Sequence, residues 1–183
     1  MIRLLLWTLA GVLLGGIVHL SSVLVLPRTA TQDAYSRLEP ITPVNAVTPL
    51  PVPAPDNTVL PFMDAAFAVA VCRYDLSGGP LKLITPVGQA YMSATFYTRY
   101  SIPYYAINDR AAGRRTVELE LMTAEQRSQL PEDEEVTAAD RLIVESPTLT
   151  GLVMLRALSP EPSFMPVARG LLAAARCQPN QPS

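Results

Sequence analysis

Leu4 to Leu26 is an unbroken apolar run whose one ionisable side chain is His19. As a helix rising about 1.5 Å per residue it is roughly 34 Å long, enough to cross a hydrocarbon core of about 30 Å. This run constrains everything after it. A chain of 183 residues that spends its start on such a segment has room for one folded domain of roughly 120 residues. A cleaved signal peptide is the rival reading, but its apolar region is normally about 7–15 residues long and is followed by a small-x-small site. Here the run is longer and ends in Leu-Pro-Arg, so a retained transmembrane anchor over residues 1–27 is expected. The α-amine and Arg3 flank one end and Arg28 the other, which gives a slight push to a cytoplasmic N-terminus. Gly11, Gly15 and His19 share one helix face, and small residues four apart let two helix backbones approach, so this face is a candidate for helix packing.

From Arg28 onward 13 basic residues face 16 acidic ones. A mildly acidic chain without a basic face is a poor partner for nucleic acid, and none is expected. The only histidine lies in the apolar run, which removes Ser-His-Asp and Cys-His catalysis and histidine metal ligation from the remainder. Lys82 is the only lysine and falls in a predicted strand. No catalytic residue, cofactor or metal is therefore expected.

Residues 28–62 read as a juxtamembrane segment and a linker, because Pro40 to Pro61 holds seven prolines. Proline fixes φ and removes a donor, so neither a helix nor a central strand propagates there. An extended tether is expected, with a short interfacial helix before it. Residues 63–178 read as one β-rich domain, with a disordered tail over 179–183. Phe67 to Tyr74 is nearly all apolar, as for a strand buried on both faces. Asp75-Leu-Ser-Gly-Gly-Pro80 turns the chain into Leu81 to Thr85. Ala90 to Tyr97 and Arg114 to Met122 alternate; in the second, Val117, Leu119 and Leu121 are expected inward and Glu118 and Glu120 toward water. Thr123-Ala-Glu-Gln126 fits a capping box opening a short helix that Pro131 ends. The acidic run Glu132 to Glu135 reads as a solvated loop. Two more strands, Arg141 to Glu145 and Gly151 to Leu158, precede a helix from about Pro162 to Arg176. Strands followed by a helix indicate an α+β, mostly β fold: an antiparallel, sandwich-like domain with a C-terminal helix, preceded by one transmembrane helix and a Pro-rich spacer.

Several of these stretches carry a resemblance. Arg73-Tyr-Asp-Leu-Ser-Gly-Gly-Pro-Leu-Lys-Leu, then Ala90-Tyr-Met-Ser, Phe96-Tyr-Thr-Arg-Tyr and Arg110-Ala-Ala-Gly113, resemble the bacterial family called domain of unknown function 1254. Leu142-Ile-Val-Glu-Ser-Pro-Thr148 with Leu155-Arg156 is similar to a second block of that family. The resemblance implies a mostly β unit, usually followed by a second β domain, domain of unknown function 1214. It brings no reaction. With the apolar run and its slight charge asymmetry, the two cysteines and the acidic domain favour export, so an envelope protein of the bacterial inner membrane with a periplasmic domain is expected. Because the chain resembles only the first of the two usual domains, a membrane-protein partner that supplies the second β domain is expected too.

Two side-chain sets stand out. Cys72 and Cys177 are too few for a disulfide scaffold and lack zinc-ligand spacing. On the exported side they are expected to form one disulfide pinning the C-terminal helix to the first core strand; the alternative is two buried free thiols. Tyr97, Arg99, Tyr100, Tyr104, Tyr105, Asn108 and Arg110 form a dense run of aromatic and guanidinium groups. Aromatic faces stack on sugars and apolar ligands, and guanidinium forks hold carboxylate or phosphate. Tyrosines at strand ends also simply pack a core. Two functions follow: a non-catalytic component that assembles with an envelope partner, or a small-molecule or glycan-binding domain using this cluster.

Overall fold

A computed structural model describes residues 1–29, 33–54, 58–112, 115–129 and 142–180. Arg114, Pro131, the acidic run 132–135, Arg141 and the tail 181–183 lie outside the described residues. The chain divides into two units, Met1–Asp33 and Ala34–Ser183. The first is one helix, α1 (Ile2–Thr29), with no buried residue and a mean hydropathy of 2.2 over its most apolar window. It is long and apolar enough to be a membrane span or a signal sequence.

The second unit is mixed α+β. Its elements in order are α2 (Ala34–Leu38), β1 (Val47–Pro49), β2 (Phe67–Asp75), β3 (Leu81–Pro86), β4 (Met92–Thr98) and β5 (Pro103–Asn108). There follow α3 (Asp109–Ala112), β6 (Thr116–Thr123), α4 (Ala124–Ser128), β7 (Leu142–Ser146) and β8 (Thr150–Leu158). A 3-10 turn (Pro162–Phe164), α5 (Met165–Ala173) and β9 (Arg176–Pro179) complete it. One sheet runs β1-β2-β8-β4-β5, all antiparallel, and the other runs β7-β6-β3-β9, with β6 and β7 parallel. Alternation sends every second side chain to the same face. Ala70, Cys72 and Tyr74 of β2, Ala94 and Phe96 of β4, and Val153 and Leu155 of β8 therefore share one core. Leu81 and Leu83 of β3, Leu119 and Leu121 of β6, and Ala168 and Leu172 of α5 meet them there.

The Pro-rich stretch does not hang free, which corrects the extended tether. Tyr35, Leu38, Leu50 and Leu60 form a second apolar cluster with Val69, Val71 and Leu152, covering the other face of the first sheet. This is why β2 is apolar on both sides: the core lies under one face, and Tyr35, Leu38, Leu50 and Leu60 lie over the other. Proline excluded a central strand, but β1 sits at a sheet edge, where Pro49 ends the pairing. Asn45, at φ 57°, makes the bend and exchanges hydrogen bonds with the Asp75 backbone at 2.8 and 3.0 Å. Asparagine tolerates this left-handed conformation better than most residues. Arg73 donates from Nε and Nη2 to the Thr42 carbonyl at 3.3 and 3.1 Å, tying the same segment down. A short helix, α2, does precede the Pro-rich stretch, with Tyr35 and Leu38 turned into this cluster. Each fully buried leucine or valine here contributes about 1.5–3 kcal/mol.

Two further expectations change. Glu120 is buried, not turned to water. It stands on an interior strand, in register with Lys82 of β3 and Ile143 of β7, while Lys82 pairs with Glu118. The helix ends at Ala173, so Cys177 lies in β9 rather than in a helix. The bridge Cys72–Cys177 does form, with Cα atoms 6.4 Å apart, and joins β2 of one sheet to β9 of the other. The Thr123 capping box is present: its Oγ1 accepts from Gln126 N at 3.2 Å, and Gln126 Oε1 accepts from Thr123 N at 3.0 Å. Pro166 sits in the first turn of α5.

Candidate functional site

The aromatic and guanidinium run divides among several places, because neighbours on a strand point to opposite faces. Tyr104 and Tyr105 are the exception: the β4–β5 register shifts at Phe96/Tyr97, and both rings pack on Phe96 at the core, with centroids 6.2 and 5.7 Å away. Tyr97 turns to the opposite face and joins the cluster around Leu38. Arg99 stands 4.1 Å from the ring centroid of Tyr35, and Arg73 stands 5.6 Å from the same ring. Tyr100 is exposed in the β4–β5 turn, where Thr98 Oγ1 accepts from the backbone N–H of Tyr100 and Ile102. Asn108 Oδ1 accepts from Ala111 N at the start of α3, and Arg110 is exposed on that helix. Of the run, Tyr104 and Tyr105 share the Phe96 ring, while Tyr97 and Arg99 both reach the cluster that holds Tyr35 and Leu38.

Tyr104 belongs to a hydroxyl chain that the sequence did not signal. The Tyr74 hydroxyl, fully buried, lies 3.1 Å from that of Tyr104 and 2.9 Å from Ser146 Oγ, and donates toward the Tyr97 carbonyl at 3.2 Å. Ser146 Oγ in turn donates to the Thr148 carbonyl at 2.6 Å. Gly151 makes room for this chain, since a β-carbon there would overlap both the Tyr74 hydroxyl and the Tyr97 carbonyl. Burial, and then the neighbouring Tyr74, pushes the Tyr104 phenol well above its ordinary value of 10. A phenol so held remains neutral and donates hydrogen bonds. It is no base, so the chain orders the core rather than activating Ser146.

Two open grooves lie elsewhere. One, of about 240 Å³, runs between Gly88–Ala90, Ala157–Leu158, Phe164 of the 3-10 turn and the face of α5 at Val167 and Leu171. The other, of about 190 Å³, is walled by Leu60, Met63, Phe67, Val69 and Met154, with Asp64 and Arg156 also lining it. Phe62 forms part of its lip, fully exposed and at φ 58°. Neither groove is lined by the tyrosine and arginine run. Among the described residues no three His, Cys, Asp or Glu side chains are grouped to hold a metal.

The sequence matches a family described as "Protein of unknown function (DUF1254)" over residues 44–179. That match starts inside the Pro-rich stretch, in keeping with its place in the folded unit. No curated protein matches the chain. Among solved structures, the VPA0106 protein from Vibrio parahaemolyticus has a TM-score of 0.59 at 13% identity over 82% of this chain. An uncharacterized protein from Burkholderia cenocepacia has a TM-score of 0.46 at 11% identity over 78% of it. This chain spans 37% of the first of those chains and 36% of the second. The first likeness shows a shared fold.

Proposed function

Because the chain belongs to the DUF1254 family, which brings no reaction with it, we propose a non-catalytic role read from the architecture. The protein is a single-pass inner-membrane protein with its β-rich domain on the periplasmic side, and it assembles with a partner membrane protein that carries a second β domain. The observation that carries this reading is the buried bridge Cys72–Cys177 in a chain that begins with an apolar helix of span length. Disulfides persist in oxidising compartments, and a helix with no buried face calls for an apolar solvent. In the VPA0106 protein the shared fold is part of a larger chain.

The test is cross-linking in intact membranes followed by purification in mild detergent and mass spectrometry. A membrane protein carrying a second β domain is expected to co-purify, and the anchor, Met1 to Leu26, to remain on a carbonate-resistant chain. A soluble mature form starting near Thr29 would refute the anchor. Recovery with no other protein would refute the partner.

A further inference from the structure

We propose that the groove beside Phe62 is a self-association surface, in which Phe62 of one copy enters the groove of a second copy. A phenylalanine is an unusual residue to leave fully in water, and Phe62 is held there by a left-handed backbone, φ 58°, that a β-carbon disfavours. The side chain thus stands out from the short turn after Leu60 instead of folding back onto the sheet. Its neighbour is a groove of about 190 Å³ walled by Leu60, Met63, Phe67, Val69 and Met154. An apolar cavity of about 150 Å³ accepts benzene, so the groove has room for a phenyl ring.

What selects a second copy is that knob and hole lie side by side on one patch. A two-fold axis between them seats each knob in the other's hole, and such an isologous contact closes at two subunits. The charges fit the same operation. Asp64 and Arg156 both line the groove, so a copy related by the two-fold can bring the carboxylate of one to the guanidinium of the other. Asp64 Oδ1 already accepts from Ala66 N at 2.9 Å, which holds the acidic residue in place.

The experiment uses the full chain in mild detergent. Light scattering is expected to give a dimer, and Phe62→Ala is expected to raise its dissociation constant at least tenfold. The melting temperature at dilutions where both proteins are monomeric is expected to be unchanged, since the side chain is fully exposed in its own copy. Phe62→Cys on one preparation and Met154→Cys on another are expected to cross-link when mixed and mildly oxidised, and not separately. A monomeric wild type would overturn the proposal, as would a dimer that Phe62→Ala leaves intact with no mixed cross-link. A dimer lost in Gly11→Leu/Gly15→Leu and kept in Phe62→Ala assigns pairing to α1 and equally overturns it. A soluble form lacking α1 would refute the membrane reading but leaves this test intact.

Discussion

Breaking the bridge between the sheets is the perturbation with the largest effect that can be worked from the structure. Cys72 is in β2 and Cys177 in β9, both buried, and the bridge closes a loop with a separation of 105 residues. The chain-entropy relation for such a loop gives about 4.8 kcal/mol at 25 °C. Native domains hold about 5–15 kcal/mol in all, so the bridge supplies from a third to nearly all of the stability. At about 2–4 °C per kcal/mol, reduction should lower the melting temperature by roughly 10–19 °C. Reduced wild type is the cleanest comparison, because it keeps both sulfur atoms and removes only loop closure; Cys72→Ala/Cys177→Ala should fall at least as far. Near-UV circular dichroism of the detergent-solubilised chain, with and without reductant, reads the difference. A shift under about 2 °C would refute the entropic argument. Alkylation of both thiols in unfolded, never-reduced protein would refute the bridge itself.

Two further outcomes follow from the packing. Leu38 is fully buried in the cluster over the outer face of the first sheet, and Leu38→Ala should cost about 2–5 kcal/mol in a denaturant melt, whereas an extended tether would leave stability unchanged. Tyr104 has its folded value raised by burial, so its contribution is fully present below the unfolded value of 10 and is lost as pH rises beyond it; melts between pH 8 and pH 11 should show a decline above about pH 10 that is shallower in Tyr104→Phe.

Much of the sandwich was legible because its strands announce themselves. Phe67 to Tyr74 reads as a doubly buried strand, and the capping box at Thr123 fixes where β6 ends. What covers the outer face of β2 was not legible, because prolines argue against regular structure without arguing against packing. Leu38, Leu50 and Leu60 are spaced with no helical or strand period, yet they converge on one sheet. Glu120 misled for a related reason: alternation gives the face of a residue, whereas burial depends on the neighbouring strands. β9, with Arg-Cys-Gln-Pro, has no apolar pattern and is a strand only because β3 offers it an edge. The tyrosine and arginine run looked like one site because it is compact in sequence, and strand alternation disperses it. Phe62 gave no signal at all, since a turn residue's exposure follows from a single backbone angle.

The pairing of β2 also sets a timetable. β2 is made early and bonds along its whole length to β8, whose closest partner in sequence, Thr150, is matched to Asp75. Until β8 emerges from the ribosome, one edge of a strand apolar on both faces has no partner within the chain. Local pairs such as β4 with β5 assemble meanwhile, but long-range strand pairing is slow and exposes nascent chains to association. The hazard in the life of this protein is therefore an interval rather than a place. It opens when β2 is synthesised and, for that edge, closes when β8 arrives.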